Sequence, residues 1–465
     1  MISRRAFALA GTGIVAAVAR TPRPAQAADR YDHRIAAAPW WANLRGAPGP
    51  ATAVWAYDGR VPGPVLRVRQ GTPVRIAVEN RLDQDTTVHW HGIRLPFAMD
   101  GVPGLTQPPI KPGGRFVYEF TPPDAGTFWY HPHANSLQQI GRGLAGALIV
   151  DEAEPVDVDR DVLWMLADWR LTKEGQVAPG FGNAMEAAMS GRVGNTVTIN
   201  GATPADQPVR AGERIRLRLV NAALARIMAL RFEGHRPVVV AVDGQPCQPF
   251  QPEEHLLLLG PAMRLDVMLD MQGEPGRRYP VIDDFYDGLA YPLTHLAYLR
   301  QEPLRRSGSG GVSTLPPNPL PIPDLDAAER HELVLQGGMM GGDALANAGK
   351  MQGSGIWAIN GVSMHGDGHA GMTPSLVLPR GTSHILALRN ETAWWHPMHL
   401  HGHSFLLLSR NGSNVPHQQW GDTVLLAPWE RVEIAFVADN PGDWMLHCHV
   451  TDHQVTGMMT ILRVD

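Results

Sequence analysis

The sequence predicts an all-β protein of three similar domains in tandem, and three observations predict it. The chain has 465 residues, a length that fits about three domains. Gly (49) and Pro (40) are abundant and long helical stretches are hard to find, as many short strands joined by turns require. One strand pattern also occurs three times, at intervals far too long for a solenoid. It consists of a Gly, alternating apolar residues, and an Asn nine positions after the Gly. The first copy runs from Gly71 to Asn80, with Val74, Ile76 and Val78 alternating with Arg75, Ala77 and Glu79. The second runs from Gly212 to Asn221, with Ile215, Leu217 and Leu219 alternating with Arg214, Arg216 and Arg218. The third runs from Gly381 to Asn390 and carries Ile385, Leu386, Ala387 and Leu388. Alternation with a period of two marks a half-buried strand.

Taken in order, the chain opens with Ser3-Arg4-Arg5-Ala6-Phe7, a weakly apolar run from Ala8 to Ala19, and Ala25-Gln26-Ala27. Paired arginines, a short apolar region and a small-X-small site predict a twin-arginine export signal over residues 1–27. The apolar run is shorter than the ~20 residues a spanning helix needs. A periplasmic or secreted mature chain with no stable membrane span is expected. The first domain is predicted over 28–152. The acidic, Pro-containing segment Glu152–Asp161 leads to the second, over 162–300. A Pro-, Gly- and Ser-rich linker over 301–326 leads to the third, over 327–465. The net charge of −5 and charged fraction of 18% offer no basic patch, which excludes a nucleic-acid partner. A monomer is expected.

The repeat separates the domains chemically. Nine and eleven positions after the repeat Asn stand His89 and His91 in the first copy and His399 and His401 in the third; the second copy has Leu230 and Phe232. Five and seven positions after a later Gly stand His131 and His133 (after Gly126) and His447 and His449 (after Gly442). Two domains thus hold two His-X-His pairs each, and the middle one has apolar residues. The third domain adds His396, Cys448, His453 and Met458, where the first has Thr86, Pro132, Leu137 and Arg142.

Alternate side chains of a strand point to opposite faces. His447 and His449 therefore project one way and Cys448 the other, with a short covalent path between the two faces. A set of two His, one Cys and a weak axial Met suits copper in electron transfer. Zinc favours tetrahedral, Cys-rich sets and has little use for one Cys among ten His. Eight imidazoles from two domains can close a multi-metal cluster at their interface. With Cys448 on metal, Cys247 has no disulfide partner and is read as a buried, inert thiol. His403 is read as a packing or supporting residue. His365 and His369, with Met364 and Met372, lie in a Gly-rich loop; copper collection was weighed, and a flexible surface loop is the expectation. Met339, Met340 and Met351 are read as core or loop residues rather than a copper-handling surface.

His89-Trp90-His91-Gly92, Tyr130-His131-Pro132-His133, His396 to His403 and His447 to Met458 together resemble the multicopper oxidases, over essentially the whole mature chain. The resemblance implies three cupredoxin-like Greek-key domains and four copper ions. It assigns His396, Cys448, His453 and axial Met458 to type 1 copper, and His89 and His399 to type 2. It assigns His91, His131 and His449 to one type 3 ion, and His133, His401 and His447 to the other. A reductant, phenolic or aromatic or Cu(I), is then oxidised one electron at a time near an exposed edge of a type 1 histidine. Four electrons pass through Cys448 and its neighbours His447 and His449, and dioxygen is reduced to water. Asp100 matches the family's acid on the proton path. Gln454 departs from a Glu found there in several bacterial relatives, with Asp452 adjacent. A laccase-like oxidase is the expected function. A periplasmic cuprous oxidase comes second, because its dense Met-rich insertion is not evident here. A copper nitrite reductase lacks the type 3 pair, and a non-catalytic cupredoxin-fold scaffold would not keep every ligand position filled.

Overall fold

The structure is a computed structural model that describes residues 31–46, 48–304, 311–312, 314–340, 355–366, 369 and 371–465. The expected export segment and Met351 lie outside the described residues.

Six sheets form three pairs along the chain. In the first unit, strands Thr52–Tyr57, His33–Ala42, Val74–Asn80 and Arg115–Phe120 form one sheet. Leu66–Arg69, Gly146–Asp151, Gly126–His131 and His89–His91 form the other. The second and third units each have a six-stranded and a five-stranded sheet. The recurring strand has the same neighbours in all three. Val74–Asn80, Arg214–Asn221 and Ser383–Asn390 pair in parallel with His33–Ala42, Arg160–Trp169 and Glu329–Gly337 respectively. On their other edge they pair antiparallel with Arg115–Phe120, Arg264–Asp270 and Arg431–Val437.

The two punctuating residues of the repeat have physical reasons. Gly71, Gly212 and Gly381 all have positive φ (69°, 79° and 79°), which glycine adopts without steric cost. Their N–H groups donate to the carbonyls of Pro122, Met271 and Ala438, closing a turn beside the neighbouring strand. The Asn side chain pins the loop that follows. Asn80 Nδ2 donates to the carbonyls of Gln84 and Ile110, and Asn80 Oδ1 accepts from Leu82 N–H. Asn221 and Asn390 make the same three bonds, to Arg226, Leu259 and Ala223 and to Trp394, Ala427 and Thr392. The repeated Asn thus sets the path of the chain towards the next strand.

Each unit has its own apolar core. Ile76 and Val78, Leu217 and Leu219, and Leu386 and Leu388 occupy equivalent inward positions. Leu230 and Phe232 are core residues of the second unit. The opposite face of the second strand departs from a simple half-buried pattern. Arg216 and Arg218 are almost fully buried because that face meets the first unit. Arg216 pairs with Asp266 and Glu152, and Arg218 with Asp161 and Asp266 while donating to Thr127 Oγ1 at 2.8 Å. Buried guanidinium groups require such partners.

Candidate metal centre

Two antiparallel strand pairs carry the histidines. His89–His91 pairs with Gly126–His131, placing His89 opposite His131. His396–Leu400 pairs with Gly442–Cys448, placing His399 opposite His447 and Met398 opposite Cys448. Alternation sorts the side chains. Trp90 packs on Tyr118, Phe120 and Tyr130 inside the first core, and Cys448 and Met398 lie inside the third. The flanking imidazoles all point into the space between the two units.

There His89, His91, His131, His133, His399, His401, His447 and His449 form one continuous cage, each at most 3% exposed. His91 and His399 stack with centroids 3.7 Å apart, and His89 stacks on His401 at 4.1 Å. His401 Nε2 and His447 Nε2 approach to 3.0 Å, and His131 Nε2 and His449 Nε2 to 3.4 Å. The other ring nitrogen is often held by the protein. Nδ1–H of His89, His131, His399 and His447 donates to the carbonyls of Asp100, Pro132, Asp422 and Cys448. Such bonds fix the tautomer and aim Nε2 inward. Several nitrogens are left buried without any partner among the described residues: His89 Nε2, His91 Nδ1, both of His133, His399 Nε2 and His449 Nδ1. Unsatisfied buried nitrogens are costly unless a metal takes them. Burial, with repulsion between neighbours, holds His91, His131, His133, His447 and His449 well below the usual imidazole range. Neutral imidazole is the ligating form, so the cage fits metal ions.

A second set lies on the opposite face of Gly442–Cys448. Cys448 Sγ is 3.5 Å from His396 Nδ1 and 3.6 Å from His453 Nδ1, and the two nitrogens are 3.1 Å apart. Met458 is fully buried in the same core and its carbonyl accepts from Cys448 N–H at 3.0 Å. Trp357 packs on both rings, 4.3 Å from His453 and 5.1 Å from His396. One thiol with two convergent imidazoles is a donor set for a soft metal.

Two carboxylates brace the cage. Asp100 Oδ2 accepts from His401 Nδ1 at 2.8 Å, and Oδ1 lies 3.2 Å from His89 Nδ1. Burial pushes the Asp100 carboxyl up, but His401 and His89 outweigh it and hold it below its ordinary range. The other brace is absent from the sequence reading. Asp422 Oδ1 lies 3.1 Å from His91 Nε2 and 3.3 Å from His399 Nδ1. Arg264, from the second unit and fully buried, donates to both oxygens of Asp422 at 2.8 and 2.6 Å. Asp243, also from the second unit, lies 3.3 Å from Arg264 Nη1 and accepts from Thr423 N–H at 3.0 Å. Gly92 makes room for this chain: a Cβ there would lie 2.4 Å from both Arg264 Nη2 and Asp422 Oδ2. Arg264 opens the counterpart of strands Arg115–Phe120 and Arg431–Val437 but stands at a different distance from the repeat Asn in each unit, so no constant spacing reveals it.

Two expectations change. Neither histidine expected at type 1 copper has an exposed edge, since His396 and His453 are both fully buried. His453 Nε2 instead donates to the Met189 carbonyl at 2.7 Å. The segment after helix Ala184–Ala187 is held over it by Arg192 N–H on Asp452 Oδ2, Trp357 Nε1–H on Ala187 O and Met339 N–H on Ala188 O. Met339 and Met340, read as core or loop residues, follow strand Glu329–Gly337. They border this cover and are 43% and 75% exposed, beside Met185 at 57%. Asp452 is engaged on this side and so is not aimed at the cage. His369 is fully buried rather than part of a surface loop; His365 is exposed. Cys247 is buried and its thiol is pushed up to about 12 by burial. His403 packs on Trp444 and Phe436 with Nδ1 3.2 Å from His401 O.

Three family models described as multicopper oxidase match residues 41–155, 160–302 and 346–465. The chain is 31% identical to the multicopper oxidase MmcO of Mycobacterium tuberculosis, over 89% of this chain and 84% of that protein. It is 26% identical to copper resistance protein A of Escherichia coli (88% and 89% covered) and 28% identical to laccase-1 of Botryotinia fuckeliana (86% and 77% covered). Among solved structures, the multicopper oxidase from Pseudomonas thermotolerans superposes with a TM-score of 0.81 at 35% identity, over 93% of this chain and 98% of that one. With three cupredoxin-like units, a Cys/His set on one face of a strand and an imidazole cage on the other, this chain belongs to the multicopper oxidases, copper-dependent oxidoreductases that use dioxygen.

Proposed function

We propose that the protein is a laccase-like oxidase holding four copper ions, with the division of labour expected from the sequence. His396, Cys448, His453 and Met458 hold the ion that is reduced first. His89 and His399 hold a second; His91, His131 and His449 hold a third; His133, His401 and His447 hold a fourth. When bound, these ions take up electrons singly and deliver four of them to dioxygen. The residues do the rest. Cys448 and its neighbours His447 and His449 supply a covalent link between the two sites. Asp100 orients His401 and His89 and handles protons that dioxygen reduction consumes. Asp422 orients His399 and His91. The observation that carries this reading is the convergence of Cys448 Sγ, His396 Nδ1 and His453 Nδ1 within 3.6 Å, on the strand face opposite His447 and His449.

Cu(I) as reductant is the second reading. The exposed methionines Met185, Met339 and Met340 around the Met189 cover favour it, since thioether sulfur is a soft donor. The domains are taken as 28–152, 162–300 and 327–465, joined by a 301–326 linker. Both halves of the cage come from one chain, which supports a monomer. Export by the twin-arginine route to the periplasm or beyond is part of the proposal. Among the described residues no helix is long and apolar enough to cross a membrane. One purified, copper-loaded preparation tests the core reading: metal analysis, a blue absorption band, and oxygen uptake with a phenol and with Cu(I). A colourless protein, or one that consumes no oxygen with either donor, would sink it. Cell fractionation with N-terminal sequencing of the mature protein tests export.

A further inference from the structure

His369 has no place in the chemistry above, yet it is completely buried, and neither ring nitrogen is hydrogen-bonded among the described residues. Its ring stands edge-on to His133, with centroids 5.7 Å apart. Met364 and Met372, five residues before it and three after, pack against Met445 and Met459 in one apolar cluster. Met459 pairs with His447 across the strands, and Met445 lies two residues before His447, on the same strand face. Described residues on both sides are anchored to the third unit: Met364 N–H and Gly366 N–H donate to the carbonyls of Gly457 and Val455, and Ser375 N–H donates to Ile461 O. Burial increases inward, from exposed His365 through half-buried Met364 and Met372 to buried Met445, Met459 and His369.

Leucine would fill such a cluster as well as methionine, and with less rotamer loss. An imidazole with both nitrogens unpaired is a cost that apolar packing does not offset. Neutral thioethers beside a neutral imidazole are the donor set that selects Cu(I). We propose that Met364, His369 and Met372, backed by Met445 and Met459, form a Cu(I) acquisition site that hands the ion to His133 and His447 while the cage is being filled. The transfer is ligand exchange: copper–sulfur bonds break as copper–nitrogen bonds form. No electron moves, and neutral ligands at both ends release no proton.

The proposal rests on His133 and His447 being copper ligands, and two measurements keep it separate from that reading. The first follows the filling of full-length apoprotein by Cu(I), supplied anaerobically from a coloured chelator, and by Cu(II). Met364→Leu with Met372→Leu, and separately His369→Leu, are expected to slow Cu(I) filling several-fold. Cu(II) filling, final copper content and the turnover of the filled enzyme should not change. The second titrates the copper-filled protein with Ag(I), a redox-inert ion of the same charge and softness. The parent is expected to bind one further equivalent that the double Met variant loses. Parent-like Cu(I) filling in both variants, or Ag(I) binding untouched by the double substitution, overturns the proposal. Should the double variant fold poorly, Met372→Leu alone, at a half-buried position, gives the same two readouts. A parent that never fills its cage with copper overturns the ligand reading instead.

Discussion

Two short helices occupy the same place in the first and third units. Ser136–Gly141 follows the strand Gly126–His131, and Thr451–Val455 follows Gly442–Cys448. In the third unit the helix presents His453 to Cys448 and His396. In the first unit it presents Leu137, which packs with Ile140 and Leu224. Thr86, standing where His396 stands, gives its hydroxyl to Gln139 Oε1 at 2.7 Å. Arg142, in the place of Met458, lies over the Trp55 ring at 4.9 Å. The frame is the same in both units, so ligand identity alone separates the candidate metal site from ordinary packing. The second unit extends the lesson. It has lost both kinds of ligand, and contributes instead the Arg264 and Asp243 charges that anchor Asp422 behind the cage.

The sharpest way to break the comparison is Cys448→Ser. The blue band and turnover with organic donors are expected to vanish while most of the other three coppers stay bound, because the thiolate serves one site only. Metal analysis with absorption spectra checks this; loss of all four ions from a folded variant would contradict the division. Arg264→Met leaves Asp422 and Asp243 buried without their counter-charge. A loss of about 3–5 kcal/mol is expected, measured by denaturant unfolding of the apoprotein, together with an altered type 2 copper signal in electron paramagnetic resonance. A loss below 1 kcal/mol would mean that water or rearrangement replaces the guanidinium.

Substituting both Leu230 and Phe232 by His tests whether placement alone makes a site. It should create no functional copper centre and should destabilise the second core by about 1–3 kcal/mol for each unpaired ring; a metal ion held by the second unit would refute the repeat argument. Asp100→Asn should leave anaerobic bleaching of the blue band by substrate unchanged. Its recovery on adding oxygen should slow by about 10–100-fold, the usual effect of losing a group that orients metal ligands. Stopped-flow with the reverse pattern would assign Asp100 to the substrate side. The smallest effect is expected from Met458→Leu: activity retained and the type 1 potential raised, since a thioether donor stabilises Cu(II) weakly. An unchanged potential in a redox titration would point to another axial group.

Most of the fold was legible because the repeat encodes it. Gly71, Gly212 and Gly381, and the Asn nine positions later, mark turns and loop anchors that recur three times; His89, His91, His399 and His401 stand at constant offsets from that Asn, and His131, His133, His447 and His449 at constant offsets from Gly126 and Gly442. Alternation then separates His447 and His449 from Cys448. What was not legible depends on contacts between units. Nothing along the chain connects Arg264 to Asp422, because the pair forms across an interface and follows no period. The buried Arg216 and Arg218 read as a solvated face for the same reason. The cover over His453 needs the helix Ala184–Ala187 and Met339 to meet, residues that are remote in sequence. His369 sits among glycines that suggest a surface loop, and only its neighbour His133 reveals that it is inside.

The cage has a further consequence for how the chain is held together. His131 and His449 approach each other across 318 residues of chain. Ions held as proposed between such partners would act as removable crosslinks between the first and third units. Such ions leave the chain when it unfolds, so they stabilise the folded state by mass action. The unfolding midpoint should therefore track free copper concentration.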